Sequence, residues 1–128
     1  MNNSKKVYYY EERKIKDLLI GRKVVEVDDD TLVLDNGQRL RVVGNIGCCC
    51  GAGDYYVRHL STCNNAITNV EFSCEYEEKR YETYQAYRIF VIADGIQTML
   101  LDVYGTDGNG YYGSGYWLEV YMEDTDAD

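Results

Sequence analysis

Asn36-Gly37 stands between two stretches of alternating apolar and polar residues, and this constrains the fold more than any other feature of the chain. Both residues tolerate positive φ, so the pair predicts a tight type I′ hairpin. The return strand is expected from Gln38 to Val43, with Leu40 and Val42 on one face and Arg39 and Arg41 on the other. Upstream, Lys23 to Val27 and Thr31 to Asp35 show the same period of two around the turn Asp28-Asp29-Asp30. Together these segments predict a three-strand meander. Asp94-Gly95 repeats the pattern between the apolar run Tyr84 to Ala93 and its partner Gln97 to Tyr104. The chain has no proline, which leaves its turns to Gly, Asn and Asp.

Other segments follow different periods. Ile15, Leu18 and Leu19 keep helical spacing, so a helix is expected over Tyr8 to Ile20, with Gly21 as its left-handed stop. Asp54 is placed to cap a second, short helix through Tyr55, Tyr56, Val57, Arg58, His59 and Leu60. Ala66 to Tyr76 and Tyr116 to Met122 read as strands, Glu77 to Arg80 as a charged turn and Gly105 to Gly115 as a loop. The expected fold is α+β: a mostly antiparallel, curved or partly closed sheet of about six to seven strands. One N-terminal helix and one short helix after the Cys/Gly loop accompany it. The 128 residues are expected to form a single domain, ordered over about residues 8–122, with an acidic tail from Glu123 to Asp128.

Charge narrows the list of partners. Asp and Glu number 22 against 13 Lys and Arg, a net charge of −9. Such a chain is repelled by nucleic-acid backbones and anionic membranes, so neither is an expected partner. The first ten residues carry two lysines and no apolar stretch behind them. No secretory signal is expected, and the chain is assigned to the cytoplasm, where five cysteines read as thiols or metal ligands.

Three blocks carry a resemblance: GNIGCCCGAGDYYVRHLSTCNNAITNVEF, YRIFVIADG and TMLLDVYGTDGNGYYGSGYWLEVYM. They span about residues 18–122 and resemble a small domain-of-unknown-function family of actinobacteriophages, other phages and bacteria. Members combine a glycine followed by adjacent cysteines, an aromatic-rich helix, an AITxVE strand and a DGNGYYG-like hairpin. The resemblance implies a phage or prophage accessory protein and carries no activity with it. The third cysteine of Cys48-Cys49-Cys50 and the Tyr8-Tyr9-Tyr10 run depart from the usual pattern.

Candidate sites come in two sets. Cys48, Cys49, Cys50, His59, Cys63 and Cys74 supply enough soft ligands for a zinc ion, although no C-x-x-C pair is present. The competing reading packs these thiols as small hydrophobes; a thiol enzyme with His59 as base stands behind both. The second set is aromatic. The chain has fourteen tyrosines and two phenylalanines, and tyrosine favours half-buried faces and wet interfaces. Tyr55, Tyr56, Tyr111, Tyr112, Tyr116 and Trp117 are the candidate contacts of a non-enzymatic module that binds a host protein, a phage protein or itself. A zinc-stabilised domain, a minor virion component and an acidic DNA mimic are the alternatives. The glycine loop lacks the phosphate-cradle spacings, and Asp107 to Leu118 lacks the glycine and glutamate of a calcium loop.

Overall fold

A computed structural model of the protein describes residues 4–45, 54–79, 82–106 and 115–122. The meander forms as its alternation dictates: β2 (Val24–Val27), β3 (Thr31–Leu34) and β4 (Gln38–Gly44). Leu32, Leu34, Leu40 and Val42 turn inward, while Arg39 and Arg41 stay outside. The β3–β4 turn differs from the expected one. Its loop has three residues, Asp35, Asn36 and Gly37, closed by the Gly37 N–H on the Leu34 carbonyl at 3.0 Å. Only Gly37 takes positive φ, at +89°, so a type I turn followed by a left-handed residue replaces type I′. The two-residue turn with both φ values positive occurs instead at Asp94-Gly95, +52° and +74°, between β7 (Glu82–Ala93) and β8 (Ile96–Thr106).

The largest correction concerns fold class. Tyr55–Leu60 is a strand, β5, rather than a second helix, and Lys5–Tyr8 forms a further strand, β1. With β6 (Ile67–Lys79) and β9 (Tyr116–Met122), the described residues hold nine strands and one helix, α1 (Glu12–Leu19). The protein is therefore a mostly antiparallel β structure of two open sheets, not an α+β domain with two helices on one curled sheet. The five-stranded sheet runs β1-β9-β4-β3-β2 and the four-stranded sheet β5-β8-β7-β6. Tertiary pairing overrides the capping signal at Asp54. Tyr55, Tyr56 and Val57 suit a pleated surface and pair with Gly105, Tyr104 and Val103 of β8. A bulge then offsets Arg58.

Both sheets contribute to one core. Val7, Leu40 and Leu118 from the five-stranded sheet join Val70, Ile89 and Leu101 from the four-stranded one. Helix α1 adds Ile15 and Leu19 from its buried stripe. It begins four residues later than the periodicity predicts, because Tyr8 belongs to β1 and pairs with Trp117. Gly21 takes φ +85° as expected, and its N–H donates to the Ile67 carbonyl at 2.8 Å. That bond fixes the helix end against the start of β6. Beyond Tyr76 the β6–β7 ladder continues through the predicted charged turn as far as Lys79↔Glu82. Cys48, Cys49, Cys50, Tyr111, Tyr112 and the acidic tail lie outside the described residues.

Candidate functional site

The four-stranded sheet sorts its polar and aromatic residues by strand parity. On the outer side, Tyr56 of β5, Tyr104 of β8 and Ala86 of β7 share one row, and Tyr84 stands two residues from Ala86 on the same side. The Tyr84 and Tyr104 rings stack at 5.6 Å with planes 18° apart, and Tyr56 meets Tyr104 edge-on at 6.0 Å. Tyr56 is 54% exposed. The Arg58 guanidinium lies over the Tyr104 ring, 4.0 Å from its centre.

Beside this row sits a carboxylate gripped from two sides. Asp102 is only 5% exposed and interrupts the apolar run of β8. Its Oδ2 accepts from Arg58 Nε at 3.1 Å and pairs with Arg58 Nη2 at 3.0 Å. Oδ1 faces Arg88 Nε at 3.6 Å, and Arg88 Nη1 reaches Glu75 at 2.9 Å. The two buried atoms that lack a hydrogen bond here, Asp102 Oδ1 and Arg88 Nε, thus face each other as an ion pair slightly too long for one. Burial of a charge is tolerated because two guanidinium groups compensate it.

The inner side carries a neutral polar cluster instead. Tyr55 and Tyr87 both donate to Oε1 of the buried Gln85, Tyr55 at 3.2 Å. Tyr55 reaches β7 by lying across Gly105 of β8. A Cβ at that position would sit 2.7 Å from the ring and 2.4 Å from the Asp54 carbonyl, so only glycine fits. Tyr87 continues to Tyr9 at 4.7 Å and Tyr116 at 6.2 Å. Between these rings, β6 and the first turn of α1 lies a cleft of about 300 Å³ that also contacts Glu12, Cys74 and Arg88. Burial pushes the Cys74 thiol up, against hydrogen bonds with Tyr76 and Tyr87 that pull it down. Burial likewise drives the Tyr116 hydroxyl far above its ordinary range, with Glu12 adding to the effect. Both groups are neutral at physiological pH, so Cys74 is not an activated nucleophile.

The sequence-predicted aromatic set is therefore divided among different surroundings. Tyr55 is 4% and Tyr116 3% exposed, and both pack inside, whereas Tyr56 stands on the outer face. Trp117 lies on the far sheet, beneath Lys6 at 4.9 Å and beside Tyr8 at 6.3 Å. Of the cysteine–histidine set, the described members His59, Cys63 and Cys74 are also separated. His59 is exposed and its Nε2 meets Ser61 Oγ at 2.6 Å, while Ser61 donates to the Met99 carbonyl. Cys63 bridges to Val24 at the core edge, with its thiol on the Asn65 carbonyl at 3.3 Å. His59 lies on a strand that ends at Leu60, so no helix brings it onto one face with Cys63. Among the described residues no three His, Cys, Asp or Glu side chains converge as a metal site.

Arg58, Arg88, Tyr84 and Tyr104 were not singled out by the sequence. Arg88 leaves a readable trace, as does Asp102, since both are lone charges inside the apolar runs of β7 and β8. A charge at such a position calls for a partner.

No helix among the described residues is long and apolar enough to cross a membrane. No curated protein matches the chain, and no solved structure does. One family matches, over residues 17–118, including both sheets apart from β1 and the last residues of β9. The chain therefore belongs to the family described as Domain of unknown function (DUF7448).

Proposed function

We propose that the protein is a non-enzymatic binding module that contacts another protein through the outer face of its four-stranded sheet. The single supporting observation is the row Tyr56–Tyr104–Tyr84 with Arg58 lying across its middle ring. Tyrosine and arginine dominate the energetics of protein interfaces, because large rigid rings bury area at little entropic cost. Here the stacking and the Asp102 ion pairs hold the rings and Arg58 in place before a partner arrives. The net charge of −9 favours a protein partner over a nucleic acid. On the resemblance of its sequence blocks, the chain serves as an accessory protein of a phage or prophage, acting in the host cytoplasm on a host factor or a phage protein.

The test uses three baits in lysates of infected and uninfected host cells: wild type, Tyr56→Ala/Tyr104→Ala and Arg41→Ala. Partners of this face are retained by wild type and by Arg41→Ala and lost by the tyrosine variant. Capture of the same proteins by all three baits overturns the reading. Sedimentation of wild type and the tyrosine variant reports whether the partner is a second copy. In that case the wild-type coefficient rises with concentration and the variant's does not.

A further inference from the structure

The inner cleft points to chemistry that the outer face does not use. We propose that the cleft between the first turn of α1 and the four-stranded sheet binds a small organic cation, a quaternary or methylated ammonium. The inference is independent of the protein-contact reading, because it rests on other residues.

The argument starts from the walls. Tyr9, Tyr87 and Tyr116 stand 4.7 to 6.2 Å apart with planes 40–70° to one another, so different ring faces and edges meet around one space. Phe72 extends the apolar lining. A ring face is the negative part of the aromatic quadrupole and attracts a cation within about 6 Å of its centre. Glu12 stands on the rim, exposed, with no cationic partner among the described residues. Its charge acts on the cleft, since it helps hold the Tyr116 proton in place.

The other polar groups fit the same ligand. Arg88 also lines the cleft, but its guanidinium is taken up by Glu75 at 2.9 Å and Asp102 at 3.6 Å. An anionic ligand would meet Glu12 and no uncompensated cation among the lining residues. The Tyr116 ring is buried, and its hydroxyl has no hydrogen-bond partner among the described residues, so it can donate to a hydroxyl or carbonyl on the ligand. The volume of about 300 Å³ is the share of about ten liquid waters, enough for a trimethylammonium head on a short polar chain.

Choline and its uncharged isostere 3,3-dimethyl-1-butanol are the probes. They differ in charge and hardly in shape, so their ratio of affinities isolates the electrostatic attraction. Titration of the full chain, followed by NMR shifts of the tyrosine ring protons, is expected to show saturable choline binding. The alcohol should bind about tenfold more weakly. Glu12→Gln is expected to weaken choline several-fold and leave the alcohol unchanged; its exposed position keeps the fold intact, which the thermal midpoint verifies. Tyr9→Leu should weaken choline by about tenfold. Equal affinities for the two probes, or choline binding indifferent to Glu12→Gln, overturn the proposal, as does the absence of saturable choline binding to a folded wild-type protein.

Discussion

On the four-stranded sheet two arginines hold one carboxylate; on the five-stranded sheet one arginine holds two. Asp102 lies between Arg58 and Arg88 at 3.0–3.6 Å. Arg41 lies between Asp30 at 3.2 Å and Glu119 at 3.3 Å. The distances are alike and the surroundings are not. The Asp102 side chain is 7% exposed, whereas Arg41 and its two partners stand 27–49% exposed. Water already solvates the second triad well, so its ion pairs replace good hydration with little gain. Asp102 has lost its hydration and depends on its two partners. Burial, and not separation, sets what each triad contributes. Only the buried triad also fixes an aromatic row, through the Arg58 guanidinium on Tyr104.

Removing the central group of each triad tests that contrast. Asp102→Ala leaves two guanidinium groups facing each other across a buried gap and is expected to cost about 3 kcal/mol in urea unfolding. A loss below about 1 kcal/mol would place Asp102 with ordinary surface ion pairs and erase the contrast. Arg58→Met is the milder variant, because Arg88 remains beside the carboxylate and the methionine still covers Tyr104. Its expected loss is about 1–2 kcal/mol, with the same sign in 1 M salt, where exposed pairs are screened.

The contrast was only half legible in the sequence. Alternation marks Arg39 and Arg41 as one face of β4 and Leu40 and Val42 as the other, and the structure agrees. Hairpins close locally, so their residues announce themselves. The triad around Asp102 and the tyrosine row have no such local origin. Tyr56, Tyr84 and Tyr104 come from three strands, and only the register of β5 and β7 on β8 aligns them. The six residues of β5 fit a short helix or a strand equally well when read alone. What decides is a partner strand some fifty positions later, paired as Tyr55↔Gly105. For the same reason Tyr55 and Tyr116 looked like surface contacts. Composition counts a tyrosine, while strand parity decides whether its ring points at Gln85 or at solvent.

Arg41→Ala ranks below both variants of the buried triad. Its expected loss is under about 1 kcal/mol in dilute buffer and falls toward zero in 1 M salt, because the Debye length there is about 3 Å. Asp30 and Glu119 both raise the Arg41 pKa, Asp30 more strongly. The guanidinium is charged at every pH at which the protein is handled, so that shift produces no pH dependence of its own. An Arg41→Ala loss that persists unchanged in 1 M salt would show this triad behaving as if buried. The ordering by exposure would then be wrong.

Glu11 and Lys14 form a single local pair, with Lys14 more exposed than any group of the two triads, and should give the smallest effect. They pair at 2.7 Å one helical turn apart, and Glu11 Oε1 also accepts the Tyr8 N–H at 2.9 Å. Lys14 first, and then that backbone bond, hold the Glu11 carboxyl below the usual glutamate range. The sign follows from linkage. A carboxyl with a depressed folded-state pKa contributes stability above its unfolded value, and this is lost as the pH falls through the folded one. Glu11→Gln should therefore lower the thermal midpoint slightly at pH 7, by less than Arg41→Ala, and leave it unchanged near pH 2. If the two variants exchange rank at pH 7, the backbone bond to Tyr8, which fixes the turn from β1 into α1, outweighs the ion pair. Lys14→Met separates the two contributions, because it removes the charge partner and keeps the Tyr8 bond. A Glu11→Gln effect much larger than that of Lys14→Met would assign the difference to the turn.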